Sequence, residues 1–373
     1  MLLAWQGSVL ALLASCLTAV EAIPSPRSTC SKLSVRKEWR TLSKADKLSY
    51  IAAVKCLQSK PPTTASDFDG VRSRYDDFVA AHINNTDYIH FVGHFQPYIS
   101  LNMLGNTLGQ LTSLADGTDG SLPSTRKRFK PHAVTPELNH WTQDATEALF
   151  PKAPVFDPTC GFGGNGPYIN STNDPSVHLH IPGKTGGGCV QDGPFKNVKL
   201  NIGPITDTNL AYNPHCLTRD ISPYFASQTL NSSVVASALA GKTFKDFDII
   251  VQGRPDVAGI TYHGGGHLSV GGISIGDIYA SPGDPLFYLH HANLDRLWWE
   301  WESADPSKRE TDISGPDTQF AYPFDFFGEI PYKNITLNYN MFFGNLTPGT
   351  TWVPIKNVMD ISAGPLCYTY SQI

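Results

Sequence analysis

The chain has 373 residues, 41% of them hydrophobic and 11% aromatic, with a formal net charge of -5. That composition belongs to a folded globular protein and argues against a disordered one. The mild acidity argues against a nucleic-acid binder, which carries a basic face.

Residues 2–20, "LLAWQGSVLALLASCLTAV", form an uncharged apolar run, followed by a small-residue cleavage site at Val20-x-Ala22. Residues 1–22 therefore read as a secretory signal peptide, and the mature protein as secreted. The run is short for a membrane span, and no later segment is long enough to cross a bilayer. Of seven cysteines, Cys16 leaves with the signal, so six stay: Cys30, Cys56, Cys160, Cys189, Cys216 and Cys367. An even count in an oxidising compartment suggests disulfides, with 15 pairings open. No CxxC pair is present, which argues against a cysteine-based zinc site. Asn-x-Ser/Thr tripeptides begin at Asn84, Asn170, Asn231, Asn334 and Asn345 and are candidate glycan acceptors in that compartment.

Residues 33–59 space their apolar positions as one or two amphipathic helices. A second helix is expected over 67–82, with an Asp-rich start that suits the helix dipole. Leu101, Leu104, Leu108 and Leu111 keep a helical spacing, weakened by Gly105 and Gly109, before an exposed basic loop at 116–132. Residues 151–225 are rich in Gly, Pro and Asn and predict a long, turn-laden segment. A helix is expected over 233–252 and another over 284–302, the latter opened by Asp284-Pro285. Short strand-like runs follow towards the C-terminus.

Histidines cluster in three places. "HINNTDYIHFVGHFQPYIS" (82–100) holds His82, His90 and His94 and looks like half of a metal site. "YHGGGHLSVGG" (262–272) sets His263 and His267 four apart, on one face if helical. The three glycines between them cost such a helix about 1 kcal/mol each. Room beside the histidines, as for a substrate passage, would justify that cost; alone, the fragment reads as a Gly-rich loop. In "DPLFYLHHANLDRLWWEWE" (284–302), His291 precedes Asp295 by four, so the carboxylate can fix ring or backbone orientation. Neutral imidazoles suit copper, zinc, iron and nickel, and the lack of nearby Cys or Met disfavours a blue-copper site. Two histidines four apart and a third from another helix make a three-nitrogen site with an open face.

The 284–302 string closely resembles the second-copper signature of the tyrosinase family, whose register selects His291 rather than His290. The separations of 4 and 24 residues from His263 to His267 to His291 fit as well. "APVFDPTCGFGGNGPYI", "CVQDGPFKNVKLNIGP", "NPHCLTRDIS" and the terminal "CYTYS" are similar to segments of short secreted fungal tyrosinases and catechol oxidases. The resemblance implies a mainly α fold over residues 23–373: a four-helix-bundle dicopper core with long loops and a few short β-strands. It implies two coppers as cofactors, O2 and a small phenolic substrate as partners, and neither nucleic acid nor membrane once the signal is removed. Two adjacent one-electron metals would deliver two electrons to O2 together, oxidising phenols and o-diphenols to o-quinones.

Carried over by position, His82 and His90 match the first copper's first two ligands, and His263, His267 and His291 match the second copper's three. Asp295 and Phe287 would support that second set, and Gly264 and Leu268 would line the substrate passage. Gly264 leans the expectation towards diphenols. The first copper's third ligand fails to appear: Ile99-Ser100 stands where the family has His-Arg, and the departure runs over 99–140. His94 reads as a bystander, and His132 and His140 as weaker candidates still. The first copper site is thus expected to be incomplete and the second complete. The abrupt loss and return of likeness suggests an altered exon boundary or reading frame. Two rival readings stay open. One is a non-catalytic descendant holding copper only at the second site; the other is a hemocyanin-like dioxygen carrier, normally a much larger chain.

Overall fold

The computed structural model describes residues 30–89, 138–171, 179–204, 210–254, 259–321, 330–342, 346, 352–364 and 366–371. The signal segment, the Leu101–Leu111 helix, His90, His94, Ile99 and His132 lie outside these described residues.

The helical spacing from residue 33 gives a short 3-10 turn at Trp39–Thr41 and an α-helix only from Lys44. Before it, β1 (Ser34–Arg36) pairs in parallel with β6 (Tyr368–Tyr370), in the register Ser34 to Tyr368. A partner at the far end of the chain leaves no local periodicity to read. Cys30–Cys367 staples the same junction. Helix α1 (Lys44–Ser59) starts where the Ser43 side chain accepts from the Asp46 N–H, a cap that stabilises a helix by about 1 kcal/mol.

Helix α2 (Arg74–Ile89) starts later than the expected residue 67 and runs past 82. The delay has two causes. Asp76 accepts from the Arg72 and Ser73 N–H groups while the Ser73 hydroxyl accepts from the Asp76 N–H, closing a reciprocal cap at that point. Gly70 approaches the Leu210 carbonyl so closely that a Cβ there would sit 2.2 Å from its oxygen, which forces a turn upstream.

The middle of the chain is turn-laden as expected, with short strands β2 (Lys199–Leu200) and β3 (His215–Cys216) paired antiparallel. Cys189–Cys216 ties this region together. Cys56 and Cys160 are half-buried thiols, so not all six cysteines are bridged. Parity counts cysteines but says nothing of the roughly 4.4–6.8 Å Cα separation a disulfide requires.

Helices α3 (Pro223–Thr229), α4 (Ser232–Leu239) and α5 (Phe244–Gln252) follow. The single helix expected over 233–252 breaks at Gly241, and α5 restarts with a Thr243–Asp246 capping box. Helix α6 (Tyr262–Val270) ends at Gly271, whose φ of 64° is the left-handed stop that glycine supplies cheaply. Helix α7 (Leu286–Ser303) is followed by the short α8 (Pro306–Arg309). Strands β4 (Asn340–Phe342) and β5 (Trp352–Pro354) then pair antiparallel.

Helix α6 packs on α3, α5 and α7, and α4 packs on α5 and α7. Helix α2 meets α7 through rings: Tyr75 lies edge-on to Tyr288 at 5.9 Å, and His82 edge-on to Phe287 at 5.2 Å. Trp39, Trp141, Trp298 and Trp301 are fully buried in the main core. Among the described residues, no helix is long and apolar enough to cross a membrane.

Two buried ion pairs frame α7. At its start, Arg219 Nε and Nη2 donate to the two Asp284 oxygens at 2.8 and 2.9 Å, and both side chains are fully buried. Asp284 Oδ1 also accepts from the Leu286 N–H, so the predicted helix start acts through its carboxylate. In its middle, Asp295 Oδ2 accepts from Arg36 Nη1 at 3.0 Å, from the Tyr368 hydroxyl at 2.8 Å and from the Tyr370 hydroxyl.

Candidate metal centre

Helices α6 and α7 bring His263, His267, His290 and His291 together, all buried, with one nitrogen of each within 4.8 Å of the others. His267 Nε2 lies 3.2 Å from His263 Nε2 and 3.0 Å from His291 Nε2. Such pairs are hydrogen bonds only if one nitrogen of each carries a proton, and the neighbours decide where the protons sit. His267 Nδ1 faces the Ile275 carbonyl at 2.8 Å, and His263 Nδ1 faces Gln252 Oε1. A carbonyl only accepts, so these rings carry their protons on Nδ1, and the Nε2 lone pairs point at one another.

That arrangement is unfavourable without a cation between the nitrogens and favourable with one. Two nitrogens each about 2.0 Å from one ion sit about 3.3–3.5 Å apart, close to the observed separations. Burial opposes protonation: it pushes His267 down to about 4 and His291 well below the ordinary imidazole range, the latter helped by neighbouring histidines. Neutral imidazoles are the form a borderline metal ion binds. The donor set therefore fits copper.

His290 is in the cluster but not in the donor set. Its Nδ1 accepts from the Trp141 indole N–H at 3.0 Å, and its Nε2–H donates to the His263 carbonyl at 2.9 Å. With both nitrogens so engaged, its work is to hold the α6 backbone against α7. The glycine run belongs to the same contact. A Cβ on Gly266 would meet the His290 ring at 2.2 Å, and one on Gly265 would meet Thr229 Oγ1 at 2.5 Å. Close approach of α6 to its neighbours thus accounts for Gly265 and Gly266, rather than the expected room for substrate.

Gly264 and Leu268 are half-buried, on an α6 otherwise buried at Tyr262, His263, Gly265–His267, Ser269 and Val270. Leu268 packs on a separate small apolar cluster formed by Ile181, Phe225 and Ile260. The Phe287 ring lies 4.1 Å from His291, 5.8 Å from His267 and 5.2 Å from His82, between the two groups of histidines. Asp295 does not meet the expectation of a ring contact. Its carboxylate is turned to Arg36 and the two tyrosines, while His291 Nδ1 has no hydrogen-bond partner among the described residues. Spacing of four put the two residues on one face of α7, but three donors from the terminal strands drew the carboxylate away.

His82 is fully buried on α2. Its Nδ1–H donates to the Tyr279 carbonyl at 2.7 Å, which leaves the lone pair on Nε2. Burial pushes its pKa down to about 3, and the charge of His267 adds to the shift. Tyr279 is itself anchored, its hydroxyl donating to Asp87 Oδ1 at 2.7 Å. His140 sits elsewhere, with Thr142 Oγ1 at 2.9 Å from its Nδ1. Burial and the charges of Arg296 and Arg40 hold it near 4, surroundings that repel a metal ion. Gln252, Ile275, Tyr279 and Trp141 carry no metal-ligand pattern in sequence. Only Trp141, at the point where the family likeness resumes, had any signal.

The common central domain of tyrosinase matches residues 132–304. Tyrosinase P of Aspergillus terreus is 33% identical over 380 residues, covering 96% of this chain and 97% of that one. N-acetyl-6-hydroxytryptophan oxidase of Emericella nidulans is 33% identical over 394 residues, covering 97% and 99%. Among solved structures, a polyphenol oxidase from Thermothelomyces thermophila aligns with a TM-score of 0.76 and 32% identity, covering 93% of this chain and 91% of that one. With a helical bundle around the histidines and likeness across nearly its whole length, the chain belongs to the tyrosinase family of copper oxidoreductases.

Proposed function

We propose that residues 23–373 form one secreted type-3 copper domain that oxidises phenols, o-diphenols foremost, to o-quinones with O2. Two o-diphenols and one O2 give two quinones and two waters. The observation that carries this reading is the convergence of the His263, His267 and His291 Nε2 atoms, with the Nδ1 protons of His263 and His267 directed to acceptors elsewhere. These three residues would hold one copper, and His82 with His90 would hold the other. Bound copper would supply paired one-electron acceptors and donors and an open position for oxygen.

The chain's own residues supply the rest. His263 and His267 are fixed by their acceptors, so their donor atoms need no rearrangement to bind. The Phe287 ring lies between the histidine groups and would help keep water from the space there. Gly264 and Leu268 form a half-buried apolar stripe beside Ile260, whose side chain a Cβ on Gly264 would meet at 3.0 Å, and this stripe is the proposed approach for an aromatic ring. The signal-like residues 1–22 and the two disulfides, Cys30–Cys367 and Cys189–Cys216, favour the secretory route.

Copper analysis of the purified protein, beside oxygen uptake with 4-tert-butylcatechol, tests the reading. Copper in excess of one ion per chain with catechol-dependent oxygen uptake is expected for the oxidase. A single copper and no uptake would establish the non-catalytic descendant instead, a reading favoured by Ile99 at the third ligand's place.

A further inference from the structure

The first histidine of α6 is not held by a backbone carbonyl, as His267 and His82 are, but by a side chain that is itself held. His263 Nδ1–H donates to Gln252 Oε1 at the end of α5, and Gln252 Nε2 donates to Asp248 Oδ1 at 3.3 Å, one turn earlier on that helix. All three residues are buried, with Gln252 at 6% and Asp248 at 3% exposure. The two helices cannot slide apart, because the Thr261 hydroxyl meets the Ile250 and Val251 carbonyls at 2.7 and 2.8 Å. Gly253 and Ile260 pair antiparallel across the connection between them.

We infer that Asp248 and Gln252 are positioning residues for the metal, setting the tautomer and ring angle of His263 through an Asp248–Gln252–His263 hydrogen-bond relay. The inference rests on the metal reading given above. Its logic is one of orientation. A glutamine amide is symmetric in shape but not in chemistry: turned the other way, its NH2 would face His263, demand the lone pair on Nδ1 and place the proton on Nε2. That tautomer cannot bind a metal through Nε2. Asp248 breaks the symmetry, since its oxygen accepts the amide hydrogen and thereby turns Oε1 towards His263. His267 needs no such device, because a backbone carbonyl cannot be flipped.

The probe is Co(II) alone, bound by the full chain and followed by competition with a chelator and by its ligand-field absorption. Gln252→Met keeps the volume and removes the acceptor; it is expected to weaken Co(II) binding by about 10–100-fold and to shift the absorption. Gln252→Glu restores an acceptor and should recover most of the affinity. Asp248→Leu should mimic Gln252→Met, whereas Asp248→Asn, which can still present an oxygen, should not. Nitrogen-15 spectra of the metal-free wild type give a reading independent of any variant's folding. They should show His263 protonated at Nδ1. Protonation at Nε2, or a folded Gln252→Met that binds Co(II) within about twofold of wild type with the same absorption, overturns the relay while leaving the metal reading intact. A wild type that binds no Co(II) overturns the metal reading and the relay with it.

Discussion

The buried histidines on α6 and α7 and the one on α2 are held in different ways. Around α6 and α7, three ring nitrogens converge within about hydrogen-bond distance, and the ring, backbone and helix start behind them are each held by a buried partner. On α2, His82 is equally buried and equally well oriented, by the Tyr279 carbonyl. Yet it stands apart from the converging group, on the other side of Phe287. The comparison teaches that orienting one imidazole is a local matter, whereas assembling three is a property of helix packing. His82 needs one carbonyl; the α6–α7 trio needs Gly265 and Gly266 to let the helices close, and His290 to lock them.

The largest expected effect removes the better-built site. His291→Ala should weaken copper binding by more than the roughly 10–100-fold typical of an outer hydrogen-bonding partner, measured by chelator competition. Its neighbour tells the two roles apart. His290→Asn should keep the copper yet lose about 1–3 kcal/mol of stability, as the Trp141 indole and His263 carbonyl lose partners. Equal copper loss in both variants would show that the hydrogen-bond assignment of His290 is mistaken.

The region around His82 can be tested by substitution. Ile99→His with Ser100→Arg should raise copper per chain and oxygen uptake together, since it restores the residues the family resemblance expects there. Unchanged copper content would count against the expectation that Ile99 leaves the first copper short of a ligand.

Smaller effects probe the frame rather than the ligands. Arg219→Met leaves Asp284 buried without its cation at the head of α7 and should cost about 3–5 kcal/mol, read in a denaturant titration. Glu302, near the other end of α7, gives the mildest test. Burial, with the nearby charge of Asp295, raises its pKa well above the ordinary carboxyl range. A carboxyl whose folded pKa is raised binds its proton more tightly when folded. Its stabilising share is full below pH 4.5 and declines as pH rises above that value. Glu302→Met should therefore flatten the fall in stability between mildly acidic and alkaline pH. A slope identical to wild type would mean that Glu302 is charged throughout.

Much of this protein is legible in its sequence. The histidine spacings, the Asp284-Pro285 helix start and the family resemblance together named His263, His267 and His291 over His290, and a mainly helical fold around them. These features are local: a helix repeats every 3.6 residues, so four-residue spacings and helix starts are written in neighbouring letters. The resemblance carried the rest, by position. What only the tertiary structure decided lies at longer range. The parallel pairing of Ser34–Arg36 with Tyr368–Tyr370 turned an expected helix into a strand. The same junction claimed Asp295, the supposed support for His291. Gln252 became the support for His263 across a helix connection, and the glycines of α6 proved to be contact points for His290 and Thr229. Hydrogen-bond partners distant in sequence leave no periodic trace, because a buried donor is satisfied by whichever acceptor the packing delivers, not by the one nearest along the chain.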